Sequence, residues 1–169
     1  MKNKGFTLVE IIIAVGLFAL VMVLVSGAYL TMINSTRHTQ GITAGINSLS
    51  FALETMARTI RTGTSYGCPV AGTDCSGGTT FSVRAPSGST VSYSNGSGVI
   101  MQTTNGVATP LTDSSINVTS LQFYAVGTQP GDTQQARVTI KISGTVSSGP
   151  DKTIPFAVET SATMRGSDI

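Results

Sequence analysis

With 169 residues the chain sets an expectation of one domain with one appended segment. Charged residues make up 11% and the net charge is +2, too little to mark nucleic acid or an anionic surface as the partner. Gly, Ser and Thr crowd the second half, but regularly spaced β-branched and aromatic residues there argue for a small β-rich domain rather than a flexible linker.

The first element is apolar. Lys2 and Lys4 precede it, no charged residue occurs from Ile11 to Thr36, and Arg37 follows. A run above about 18 apolar residues crosses a hydrocarbon core as a helix. The basic flank favours a cytoplasmic N-terminus and an outside C-terminus. The run is longer than the core of an ordinary signal peptide and ends without an Ala-x-Ala site. A plain single-span anchor accounts for everything except Glu10, a carboxylate at the start of the run, where an isolated charge is costly and calls for a partner. Two readings of it stand side by side. Thr7-Leu8-Val9-Glu10 fits a capping box, with the acid favoured by the helix dipole; or the carboxylate meets a group on another molecule.

The residue order adds to this. Lys2-Asn3-Lys4-Gly5-Phe6-Thr7-Leu8-Val9-Glu10 resembles the type III signal sequence of type IV prepilins and pseudopilins: a short basic leader ending in Gly, then Phe-Thr-Leu-x-Glu and a long apolar helix. The resemblance implies cleavage by prepilin peptidase between Gly5 and Phe6, and N-methylation of Phe6. It also implies pairing of Glu10 with the Phe6 amine of a neighbouring subunit during filament assembly on an inner-membrane platform. The chemistry is readable. A glycine lets a protease approach the backbone closely, and cleavage creates an amine about one helical turn from Glu10. Loss of Lys2 and Lys4 lowers Lys+Arg from 10 to 8, equal to the 8 Asp+Glu.

The helix is expected to continue well past the membrane, since no proline occurs before Pro69. Ile42, Ile46, Leu49, Leu53, Met56 and Ile60 form one apolar stripe at helical spacing. A coiled-coil seam is one use for it; packing on a following sheet suits its short length better. Arg58 and Arg61 lie near the end, and Gly63 is the expected C-cap. Gly41-xxx-Gly45 fits a close-packing motif but lies outside the membrane span. The expected organisation is a leader at 1–5, a helix at 6–62 with 6–33 in the membrane or filament core, and a β-rich domain at 63–169. Cys68 and Cys75 sit in a Gly/Pro/Ser loop. In an exported protein they are expected to form a disulfide; half of a metal site is the alternative, with His38 far away as the lone histidine.

Strands follow at Thr79–Arg84, Thr90–Ser94, Val99–Thr104, Val107–Leu111 and Ile116–Val126, with Asn105-Gly106 as a hairpin turn. Val138, Ile140 and Ile142 alternate with polar residues, and Phe156, Val158, Ala162 and Met164 share one face of a last strand. Packed on the stripe, these make an α+β roll with one antiparallel sheet. The pattern looks like a pilin fold. A helix ending near Arg58-x-x-Arg61, a Leu121-x-Phe123 strand, a Val138-x-Ile140-x-Ile142 strand and a last strand ending in Arg165 resemble minor pilins of the PilW kind and J-type minor pseudopilins.

Other motifs promise little chemistry. Gly63-Thr64-Ser65-Tyr66-Gly67 matches a nucleophile elbow but follows a helix, with the only histidine before it. Asn34, Asn95 and Asn117 begin glycosylation-type triplets, which a Ser/Thr-rich chain produces by chance. The chain is expected to be an enzyme's substrate and not an enzyme, without cofactor. Its expected partners are other pilins or pseudopilins, prepilin peptidase, the assembly platform and the membrane. Two rivals stand: the major pilin of a thin filament, and an anchored adhesin-like binding domain that never polymerises.

Overall fold

The computed structural model describes residues 5, 7–68, 70–129, 131, 133–149 and 152–165. Among the described residues helix α1 (Leu8–Thr62) is followed by nine strands: β1 (Thr64–Gly67), β2 (Cys75–Gly78), β3 (Thr80–Arg84), β4 (Thr90–Gly96), β5 (Val99–Thr104), β6 (Val107–Pro110), β7 (Ile116–Val126), β8 (Arg137–Gly149) and β9 (Lys152–Thr163). The chain divides into two units, 1–39 and 40–169, so the second half of the helix belongs to the β-rich unit. In the first unit the helix carries its apolar side chains exposed.

In the second unit the strands form two antiparallel sheets where the sequence suggested one: β1-β3-β4-β5-β6 and β2-β7-β8-β9. The chain crosses between them three times, from β1 to β2, from β2 to β3 and from β6 to β7. Neither β1 nor β2 was expected, because each is four residues long and Gly- or Ser-bearing. The Asn105-Gly106 turn is as expected: both residues have positive φ, 50° and 84°, which a type I′ hairpin requires. Strands β7 and β8 pair over nearly their whole lengths, and β8 and β9 likewise.

One core joins helix and sheets. Val138, Ile140 and Ile142 of β8 and Leu121, Phe123 and Ala125 of β7 are buried, as their alternation requires. The Phe81 ring lies 5.2 Å from Phe123 and 6.2 Å from Tyr66, so stacked aromatics link the two sheets. The helix contributes Gly45, Leu49, Ala52, Met56 and Ile60. This is the expected stripe turned slightly: Leu49, Met56 and Ile60 are buried, but Ile46 is 54% exposed and Leu53 only half-buried. The sheet comes closest where the helix is thinnest. A Cβ on Gly45 would collide with Cγ1 of Val146, and one on Gly41 would lie 3.0 Å from the Ser147 carbonyl oxygen. The Gly41-xxx-Gly45 spacing therefore serves helix-to-sheet contact within this unit.

The helix ends at Thr62, but Gly63 is not a left-handed cap, being absent from the glycines of positive φ. Its missing side chain makes room for Val83, which a Cβ there would strike. The helix's last carbonyls are met instead by Tyr66 and Arg165. The Tyr66 hydroxyl lies 2.7 Å from both the Ile60 and Gly63 carbonyl oxygens, and the Arg165 N–H donates to Arg61 O at 2.8 Å. A long N-terminal helix packed on antiparallel sheets is the α+β arrangement of a pilin fold.

Candidate functional site

The N-terminal site is built by one cap and one long apolar surface. Thr7 Oγ1 accepts from the Glu10 backbone N–H at 3.3 Å, and Thr7 O accepts from Ile11 N–H at 3.2 Å, so the helix starts directly behind the motif. This is the threonine half of the capping box. Glu10 becomes the third helical residue, in the first turn, with its carboxylate side exposed. Gly5 is exposed, and a Cβ there would meet nothing within 4 Å, so its backbone is open to approach. Phe6, the other half of the expected cleavage and methylation site, lies outside the described residues, as do residues 1–4.

Behind Glu10 the helix is long and apolar enough to cross a membrane, and none of its most apolar window is covered. Leu8, Val23 and Met32 each expose more than two thirds of their surface. Burying one such side chain is worth about 1.5–3 kcal/mol, so this surface demands lipid or neighbouring helices. Three hydroxyls within it are satisfied by the helix itself: Ser26 donates to Met22 O, Thr31 to Ala28 O and Thr36 to Met32 O, at 2.7–3.0 Å, so these three do not need water. Glu10 is the one carboxylate between the helix start and Arg37.

Residues 1–26 match the family model of the prokaryotic N-terminal methylation motif. The chain opens with a type IV prepilin signal. That signal, the apolar helix behind it and the helix-on-sheet domain together fit a type IV pilin-like protein. Such a signal implies processing by prepilin peptidase and assembly with other pilins. No curated protein and no solved structure gives a significant match to the chain.

The second constellation is structural. Cys68 and Cys75 are joined, with Cα atoms 5.7 Å apart, and the bond ties the end of β1 in one sheet to the start of β2 in the other. Within that loop Asp74 Oδ1 accepts from both the backbone N–H and the hydroxyl of Thr128, each at 2.9 Å. The Thr128 backbone bond holds the Asp74 carboxyl below its usual range, against a smaller opposing push from desolvation. The disulfide loop is thus clamped to the β7–β8 connection, a contact that no sequence motif marked. Ser65, centre of the elbow-like pattern, has φ +52°; that turn brings buried Tyr66 back under the helix end. Asn95 donates to Val118 O at 2.8 Å and accepts from Gly98 N–H at 3.0 Å, so its amide is committed to a turn. Among the described residues no three His, Cys, Asp or Glu side chains are grouped to hold a metal ion.

Proposed function

We propose that this chain is a structural filament subunit, a minor pilin or minor pseudopilin, and a substrate of prepilin peptidase rather than a catalyst. The observation that carries the reading is Glu10: a single carboxylate in the first turn of a helix whose next charged residue is Arg37 and whose apolar surface there is uncovered, directly behind Gly5-Phe6-Thr7. Thr7 satisfies only the backbone at that turn, which leaves the charge itself to be matched. Cleavage at Gly5–Phe6 supplies the matching charge as the α-amine of the next subunit. Two poorly solvated opposite charges attract strongly at short range, and leaving either unpaired costs several kcal/mol, so the pair selects axial register even where its net stabilisation is small. A head-to-tail contact of this kind generates a helical fibre when its rotation does not close.

On this reading the helix stores the subunit in the inner membrane with its C-terminal domain outside, then packs in the filament core. The β-rich unit faces outward. Mass spectrometry of the chain from a host with prepilin peptidase tests it: the mature polypeptide is expected to begin at methylated Phe6. A chain still beginning at Met1 would remove the partner amine and defeat the proposal in favour of the anchored binding domain.

A further inference from the structure

Strand β9 ends the four-stranded sheet, so one edge of it pairs with β8 and the other with no strand among the described residues. A free edge presents backbone N–H and C=O groups ready for another strand. Pro155 removes one donor near the start of β9, which leaves Phe156–Thr163 as the stretch able to accept pairing. Beside this stretch a groove of about 480 Å³ runs between α1 and β9. Leu53 and Ala57 supply its apolar part, Thr160 its β9 side, and Arg58, Arg61 and Arg165 its charge. Glu54 is the one carboxylate that lines it, 2.9 Å from Arg58, and the pair is exposed to water. Three guanidinium groups against one carboxylate make a local positive excess, in a chain whose Lys+Arg and Asp+Glu balance once the leader is gone. Arg165 is tied to the helix by the bond from its N–H to Arg61 O, so two of the three arginines are held together by backbone.

Edge and groove suit one ligand. The residue of an added strand that lies opposite Thr160 shares its face of the sheet and therefore overhangs the groove, flanked by its second neighbours. Carboxylates there meet arginine forks, which bind them in bidentate fashion. We propose that the β9 edge and the arginine-lined groove form a docking site for an extended acidic segment of a partner protein, which adds as a strand and lays its carboxylates on Arg58, Arg61 and Arg165. A nucleic acid is the less fitting occupant: the groove is partly apolar, and the edge's carbonyl oxygens, which alternate with its N–H groups, would face phosphate oxygens that have no proton to donate.

The test uses the full chain in detergent and fluorescence anisotropy with a labelled peptide of alternating Glu and Val. The peptide should bind, and its Lys/Val counterpart should not. Replacing Arg58 and Arg61 with Ala should weaken binding by at least about tenfold. Both side chains are exposed, and only the Arg61 backbone holds Arg165, so near-UV circular dichroism should stay unchanged. Replacing both with Glu should transfer binding to the Lys/Val peptide. Full backbone N-methylation of the Glu/Val peptide should also cost about tenfold, as strand addition requires and simple charge attraction does not. Equal binding of the Lys/Val peptide or of oligothymidylate, or indifference to the arginine changes or to N-methylation, would overturn the proposal. So would binding seen only after removal of residues 166–169, which would assign the groove to the chain's own end, or self-association that the peptide fails to displace.

Discussion

Gly45→Ala tests whether helix and sheet meet where the structure puts them. In an ordinary helix interior this change stabilises by about 1 kcal/mol. Here the new methyl would overlap Val146 Cγ1 and lie 3.2 Å from Cγ2 and 3.4 Å from Cβ. Valine is stiff about χ1 and cannot swing away. Overpacking costs about 1–3 kcal/mol, and contact with the whole side chain points to the upper end, for a net loss of about 2 kcal/mol. For a unit of this size that lowers Tm by roughly 6–8 °C. Val146→Ala alone should also cost about 2 kcal/mol, since Val146 is 5% exposed. The double variant should cost at least about 2 kcal/mol less than the two singles together, because the added methyl fills the vacated space. The assay is thermal and urea unfolding of the detergent-solubilised chain, followed by near-UV circular dichroism, which reports the buried Tyr66 and Tyr93. If Gly45→Ala stabilises, or the two changes simply add, α1 and β8 do not touch at this point.

Glu10→Val should leave peptidase processing and membrane insertion intact but reduce incorporation into filaments by at least about tenfold, read by immunoblot of sheared fibres against membranes; normal incorporation would dismiss the charge pairing. Replacing Cys68 and Cys75 with Ser should lower stability by about 2.5 kcal/mol, the chain-entropy value for so short a loop, measured by urea unfolding. Tyr66→Phe should cost about 1–2 kcal/mol by stripping the helix-end carbonyls of their donor. Tyr93→Phe, by contrast, should change stability by less than about 0.5 kcal/mol. Its buried hydroxyl is pushed above the usual phenol range by desolvation, and although Thr59 draws it part of the way back, no hydrogen bond of good geometry forms. Asp74, with its carboxyl held below 3.8, adds stability that is fully present above that pH and lost as pH falls, because the unfolded chain takes up the proton first. Asp74→Asn should flatten this acid limb and cost about 1 kcal/mol at neutral pH, a solvent-screened value for an exposed carboxylate.

Much of the second unit was legible because β alternation reports burial directly. Val138, Ile140 and Ile142 point inward wherever β8 finds its neighbours, and Asn105-Gly106 dictates its own turn through backbone sterics. Four-residue strands are another matter. β1 and β2 have no pattern long enough to read, and they become strands only because β3 and β7 pair with them. The helix stripe was off by part of a turn for a related reason: hydropathy ranks Ile46 above Gly45, whereas close approach to β8 rewards the residue with no side chain.

The amino-acid order alone determined the N-terminal signal, the apolar helix behind it, the odd carboxylate in its first turn and the helix-then-strands class. Each depends on residue type and on neighbours within a few positions. Only the tertiary structure decided that there are two sheets, that the disulfide bridges them, that Asp74 seizes Thr128, that Tyr66 rather than Gly63 closes the helix, and that three arginines gather beside a free strand edge. Most of those contacts join residues far apart in the chain; the disulfide and the Tyr66 bonds are near in sequence, but the packing of the sheets sets where they fall. Their energies depend on distances that no local pattern encodes.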